Sequence, residues 1–378
     1  MDPTLPLGGL IAVSCAYSLA ALVAVGRFRR RPLPGLLAPA DCPGVSILKP
    51  AAGAGPEFED LLRSFATQEH PDFEILVGAG SADEEVRNAV RIIQAEFPHL
   101  RIIAVDCTER STGSNEKVEA LETLALHARK PVWVVSDADI RVPSEYLRAI
   151  CTDLGRPQAG LATCLYRART GPGLASRLER LWINAEFPCQ VLLARWLQGT
   201  RFALGATLAF KRETLEEIGG FGTIRQFIGD DYQLGNRIAA TGLAVKISSV
   251  VVVTELPSND GWRDVWRRQV RWSRTIRMQR PMGHAGLFVG FGSIWALLAM
   301  VIAPSAWWPL AVMAFVLKAV TAAVASSQVG CRGIARSLWL LPACDLASCA
   351  VWLWSFAGRT VKWADRAIRL GSGGRILY

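Results

Sequence analysis

Between residues 45 and 136 the chain alternates short apolar runs with stretches of helical periodicity, a pattern few folds accept. Runs at 45–48, 73–77, 101–105 and 132–136 have the length and branched apolar content of buried strands. Between them, 58–67, 83–97 and 117–128 have helical spacing. Such alternation makes βαβ units, and hence a parallel, doubly wound sheet. The last run leads straight into Asp137-Ala138-Asp139. Ligands of open α/β sheets lie outside the carboxyl ends of the strands. Two carboxylates there can hold a divalent cation, and the cation a nucleotide diphosphate. A solvated turn is the plainer reading of the same tripeptide. No G-x-G-x-x-G follows the first run, which counts against a dinucleotide oxidoreductase.

The ends of the chain have a different character. Hydrophobic residues make up 51% of the sequence, concentrated at the two termini. Residues 7–26 carry no charge, and about 20 such residues cross a bilayer core. Arg27, Arg29, Arg30 and Arg31 follow at once. A signal peptide carries its positive charge before the apolar run, so residues 1–31 are expected to be an uncleaved anchor with its arginines cytoplasmic. Residues 32–43, rich in Pro and Ala, read as a linker, and the catalytic domain is expected over 32–284.

Three further apolar runs occupy 285–303, 306–325 and 338–357. The first two, parted by Pro304, are expected to form a helical hairpin, in which Lys318 must snorkel or face protein. The third contains Pro342 and Asp345 and has arginines on both sides, so it reads either as a full crossing or as a re-entrant segment. Residues 285–378 are thus membrane segments with a basic tail. The net charge of +9 gathers beside these segments, where anionic lipid accounts for it, and no nucleic-acid-binding signature is present. Nine cysteines without C-x-x-C spacing suit a reducing compartment.

Past Asp139, strands are expected at 160–166 and 205–210, and short helices at 214–219 and 233–240. The amphipathic stretch 174–197 reads either as a helix packed on a core or as one lying on the bilayer surface. Asp230-Asp231-Tyr232 precedes a helix. Its carboxylates either cap free N–H groups or include a general base for an acceptor hydroxyl. In Arg268-Gln269-Val270-Arg271-Trp272 the two arginines share a helix face. Their guanidinium forks match phosphate oxygens, and Trp272 offers a stacking platform. Contact of a basic helix with lipid is the alternative.

Taken in order, these motifs resemble the membrane glycosyltransferases of GT-A fold, whose pattern is D…D…D…(Q/R)-x-x-R-W, and more narrowly the ceramide glucosyltransferase family and the bacterial hopanoid-biosynthesis glycosyltransferases within it. Val45-Ser46-Ile47-Leu48-Lys49-Pro50, Gly113-Ser114-Asn115 with Lys117, Thr163-Cys164-Leu165-Tyr166-Arg167, Gly205-Ala206-Thr207 and Gly219-Gly220-Phe221 also carry the likeness. It implies an α/β fold: a GT-A catalytic domain with a Rossmann-like, mostly parallel sheet, and transmembrane helices at both ends. It also implies a multi-pass protein of the bacterial inner membrane, with its active site facing the cytoplasm.

By the same resemblance, Asp137 and Asp139 hold a divalent cation, Mg2+ or Mn2+, on the diphosphate of a UDP-sugar. Asp231 matches the catalytic base and Asp230 its acidic neighbour. Asn115 and Lys117 fall near the donor, while Arg268, Arg271 and Trp272 engage the diphosphate and close over the acceptor. The acceptor implied is a membrane lipid, bacteriohopanetetrol with an N-acetylglucosamine donor, or ceramide with glucose. One departure stands out. The family carries an Asp at the end of the second strand to hold the nucleotide base, where this chain has Gly78-Ala79-Gly80, with Asp83 the nearest carboxylate. Two rivals follow from the residues: a processive polysaccharide synthase, which shares R-x-x-R-W but needs more spans, and a binding protein that has lost turnover.

Overall fold

The structure is a computed structural model that describes residues 5–28, 35–107, 114–258, 260–302, 304–363 and 366–377. Arg29, Arg30, Arg31 and Gly113 lie outside the described residues. The chain divides into a sheet unit, 30–166 with 200–255, and a helical unit, 1–29 with 167–199 and 256–378.

The sheet unit is built on eight strands: β1 (Val45–Pro50), β2 (Phe73–Ala79), β3 (Arg101–Asp106), β4 (Val132–Val135), β5 (Ile140–Arg141), β6 (Ala159–Arg169), β7 (Leu208–Lys211) and β8 (Ala244–Glu255). Their order is β3-β2-β1-β4-β7-β6-β8-β5. The expected alternation holds from β1 to β4, which pair in parallel. Strand β7 then joins β4 antiparallel, β6 joins β7 antiparallel, and β5 pairs antiparallel with β8. From β1 the chain moves outward to β2 and β3, then returns to lay β4 on the other flank of β1. That reversal is a switch point, and it opens a crevice at the carboxyl ends of β1 and β4.

Side-chain alternation decides what faces that crevice. Val45, Ile47, Ile75, Val77, Val132 and Val134 enter one core with Phe58, Leu62 and Phe65. Leu48, Leu76, Trp133 and Val135 enter the opposite core with Val118, Leu121 and Leu124 of the helix Glu116–Ala125. Both faces are covered, so β1, β2 and β4 are apolar almost throughout, as parallel strands are. Lys49 shares the parity of Val45 and Ile47, which points its side chain toward Phe65.

In the helical unit, Pro6–Arg27, Trp307–Gln328 and Ile334–Phe356 are each long and apolar enough to cross a membrane. The expected hairpin is altered in its first arm: Pro281–Gly290 and Gly292–Ile302 are bent by 47° at Phe291, and make a fourth span only if taken together. The third run is helical from Leu338 to Phe356. Pro342 causes no break because it falls in the first turn of Leu341–Phe356, where no N–H partner is lost. Lys318 faces protein, 2.6 Å from Asp345 and 3.1 Å from Glu186.

The stretch 174–197 is helical throughout as Leu174–Leu181, a π-turn at Trp182–Glu186 and Phe187–Gln198. Leu178, Leu181 and Ala185 pack with Ala322, Leu341 and Cys344, so its apolar face lies on the apolar helices of its own unit. Residues 167–199 and 256–284, which the sequence places inside the catalytic domain, group with those helices. The basic tail is not a tail: β9 (Thr360–Trp363), β10 (Arg366–Leu370) and β11 (Ile376–Leu377) form an antiparallel sheet.

Candidate active site

Three acidic side chains and a lysine meet at the carboxyl end of β4. The amide of Ser136 donates to Leu48 O, so β4 stays paired with β1 up to the residue before Asp137. Lys117, in the first turn of Glu116–Ala125, places Nζ 2.7 Å from Asp137 Oδ1 and 2.9 Å from Asp230 Oδ2. Asp231, next along, accepts from the Gly205 amide at 3.0 Å. A Cβ at Gly205 would lie 3.1 Å from Asp137 Oδ2, 3.5 Å from Asp231 Oδ2 and 3.7 Å from Lys117 Nζ. Asp137, Asp230, Asp231 and Lys117 therefore share one cleft, with Gly205 as its floor.

The loop carrying Gly205 is fixed at several points. The Leu204 amide donates to Thr163 Oγ1 at 2.9 Å, and Ser136 Oγ donates to Ala206 O at 3.1 Å. Asn115 fixes the other wall. Its Oδ1 caps the helix by accepting from the amides of Lys117 and Val118, and its Nδ2 donates to Phe227 O at 2.9 Å. Asn115 thus ties the lysine-bearing helix to the loop ahead of Asp230 and Asp231, and its side chain is spent on that task.

Asp139 is held from behind. Thr254 Oγ1 donates to its Oδ2 at 2.5 Å, and the Glu255 amide donates to its backbone carbonyl. Lys49, with no exposed surface, donates to Asp137 O at 2.7 Å and stands 4.1 Å from the Phe65 ring centroid. Neither Lys49 nor Thr254 is marked out by sequence chemistry. The signals for Lys49 are its place in the Val45–Pro50 motif of the resemblance and its position at the end of an otherwise apolar strand, which forces burial.

The crowding of charge sets protonation. Burial, helped by Asp230, pushes the Asp231 carboxyl up to about 7, against the pull of Lys117 and the Tyr232 amide. Burial, with Asp137 adding, also raises Asp139, against Thr254 and Lys49. Burial would lower Lys117, but Asp137 and Asp230 outweigh it and hold the ammonium above its usual value. Burial brings Lys49 down to about 7, opposed by Asp139 and Asp137. A carboxyl raised to near neutrality is suited to proton transfer.

Among the described residues, no group of three or more His, Cys, Asp or Glu side chains is placed to cage a metal alone. A Mg2+-type ion asks for less, one or two carboxylates plus oxygens of a phosphate substrate. The oxygen Asp137 Oδ2, which borders the space above Gly205, meets that requirement. Asp83 lies elsewhere on the rim, its Oδ2 accepting from the Gly80 amide at 2.8 Å and the Gly53 amide at 3.4 Å. Arg268, Arg271 and Trp272 belong to the helical unit, on Trp262–Gln279. Arg268 forms a two-pronged pair with Glu179 at 2.7 and 2.8 Å, and a second pair with Asp260. Arg271 lies over the Trp363 ring, and Trp272 stacks on Trp182.

Comparison with known proteins bears on this arrangement. Ceramide glucosyltransferase 3 of Caenorhabditis elegans is 24% identical over 242 residues, 64% of this chain and 52% of that protein. The ceramide glucosyltransferase of Komagataella phaffii is 28% identical over 171 residues, 41% of this chain and 33% of that protein. The chain thus spans about half or less of the length of these relatives. Among solved structures, a mannosyltransferase from Pyrobaculum calidifontis in complex with GDP-Man and Mn2+ has a TM-score of 0.51 at 21% identity. That match covers 92% of this chain and 99% of the other, and it shows a shared GT-A fold. The profile of glycosyl transferase family 21 matches residues 8–376. The chain belongs to glycosyl transferase family 21.

Proposed function

We propose that this chain is an inverting glycosyltransferase that moves a sugar from a UDP-sugar to the hydroxyl of a membrane lipid. The observation that carries the proposal is the convergence of Asp137, Asp231 and Lys117 on Gly205 at the sheet's switch point. Asp137 and Asp139 would hold a divalent cation, which when bound supplies charge neutralisation for the departing diphosphate. Asp83 would reach the nucleotide base, and Lys117 the donor. Asp231 takes the proton from the acceptor hydroxyl. The hydroxyl oxygen bonds to the anomeric carbon as the bond from that carbon to phosphate breaks on the opposite face. UDP leaves, and no covalent enzyme intermediate forms.

The acceptor class rests on the helical unit. A cavity of about 120 Å³ there is walled by Leu178, Trp182, Val265, Trp272, Phe291 and Val351, with Glu179 and Gln269 as polar groups at its side. An apolar lining with a few polar groups suits one segment of an amphiphile, the volume being too small for a whole lipid. Arg271 and Trp272 would meet the diphosphate and the acceptor. The lipid proposed is a hopanoid such as bacteriohopanetetrol, with N-acetylglucosamine or glucose as the sugar, in a multi-pass protein of the bacterial inner membrane whose site opens to the cytoplasm.

The test is UDP release from UDP-N-acetylglucosamine and UDP-glucose by the purified chain, with hopanoid or ceramide, plus Mn2+ or Mg2+, then after EDTA. Lipid mass spectrometry should show one hexose or N-acetylhexosamine increment, lost with EDTA. A ladder of increments would favour a processive synthase, and no UDP release at all would favour a binding protein.

A further inference from the structure

The position of Lys117 raises a question that the donor reading leaves open. Its ammonium bridges the carboxylates of the two acidic motifs, and only 14% of its side chain is exposed. Asp230 is buried at 4% exposure, and Asp231 lies beside it. Without Lys117, three carboxylates would crowd one poorly solvated cleft, a costly arrangement. The lysine is therefore a counter-ion already in residence, on the same Asp137 that the donor reading assigns to a divalent cation. An ammonium and a dication on one carboxylate repel each other.

The helix beneath Lys117 is fixed by the Asn115 cap, while its head group rides on a flexible four-carbon stem. The head group can thus change partners without moving the backbone. A nucleotide diphosphate brings anionic oxygens that can take over from Asp137 as its partner. We propose that Lys117 competes with a divalent cation for Asp137 and yields only when a nucleotide diphosphate arrives, so that metal and nucleotide bind synergistically. This rests on the donor-site reading above. By linkage the effect is reciprocal: nucleotide tightens metal by the factor that metal tightens nucleotide.

The experiment uses the full chain in detergent and reads Mn2+ uptake by electron paramagnetic resonance, with and without UDP, after correction for Mn2+ held by UDP in solution. The wild-type protein is expected to bind Mn2+ weakly alone and about tenfold more tightly with UDP, within the usual range of coupling. Lys117→Met should bind Mn2+ alone about tenfold more tightly, and the gain from UDP should shrink by the same factor. Lys117→Arg, which keeps the charge, should bind nucleotide-free Mn2+ as weakly as wild type. If the methionine variant does not fold, Lys117→Gln replaces it with the same expectation, since an amide still donates to a carboxylate. Neutral variants that bind nucleotide-free Mn2+ no better than wild type overturn the proposal while leaving the donor reading intact. Wild-type protein that takes up no Mn2+ even with UDP overturns both.

Discussion

The amide of Gly205 donates to Asp231 Oδ2 at 3.0 Å, and the same residue has room for a hydrogen and little else on the side facing Asp137. The floor of the cleft thus positions one carboxylate by a hydrogen bond and sets how closely another can approach. A methyl group in Gly205→Ala would meet Asp137 Oδ2 at 3.1 Å, so that carboxylate must give slightly, while Asp231 Oδ2 at 3.5 Å stays in ordinary contact. A misplacement of about 1 Å costs about 100-fold in rate, and this smaller shift should cost less. The expectation is a severalfold fall in kcat with little change in Tm. A folded variant with wild-type turnover would remove Gly205 from the site.

Asp231 gives a pH signature. With its carboxyl raised to about 7, the fraction able to accept a proton grows as pH rises through neutrality. The kcat/KM for transfer should climb between about pH 6 and 8 and then level. Asp231→Asn should lower turnover by about 100-fold or more and abolish the climb. Stability moves the other way. The folded chain retains a proton that the unfolded chain releases near pH 4, so this contribution is complete below about 4 and lost as pH rises through about 7. The Tm of Asp231→Asn should therefore gain on wild type over that interval. A pH-independent difference would contradict the raised carboxyl.

Arg268 separates a structural from a catalytic role for the basic motif. Glu179 is 1% exposed, and Arg268 is its two-pronged partner. Removing one member of a buried pair costs about 3–5 kcal/mol, because the other charge is left without compensation. Arg268→Met should lower Tm by several degrees in detergent, and Glu179→Gln by less, because Asp260 still pairs with Arg268. Loss of transfer with Tm unchanged would instead place the Arg268 guanidinium on the substrate.

These residues differ in how much of their role the sequence discloses. Strands β1 to β4 are legible because local alternation of apolar runs and helices suffices to define βαβ units. That Asp137 and Asp231 border one cleft is suggested in the sequence only by the order of the motifs, since a solvated turn or a helix cap would account for each motif alone. Strands β9 to β11 are obscured by their arginines and lysine, which belong to short strands with one exposed face. Their pairing is settled by neighbours in space. Lys49 and Gly205 fall in motifs that carry the resemblance, but what each does there is hidden for a similar reason. One acts by being buried beneath the acidic motif and the other by its missing side chain, and both depend on where β1, β4 and the 204–207 turn come together. The bend at Phe291 is marked in the sequence only by Gly290, Gly292 and Ser293 within an otherwise apolar run.

The glycine at the end of β2 yields the sharpest prediction for donor recognition. A Cβ on Gly80 would lie 2.9 Å from Asp83 Oδ2, so Asp83 brings its carboxylate into the space that an aspartate at position 80 would fill. Two backbone amides, of Gly80 and Gly53, hold it there. If the carboxylate matters by its place and not by its position in the chain, Asp83→Ala should weaken UDP binding by about tenfold, the worth of one hydrogen bond to a charged group. Gly80→Asp alone should also weaken it, because two carboxylates would then contend for one space. Combined, Gly80→Asp with Asp83→Ala should recover most of the affinity, read as a coupling in a double-mutant cycle of UDP titrations. Additive losses would show that Asp83 only caps its loop, and nucleotide recognition would then have to come from other residues.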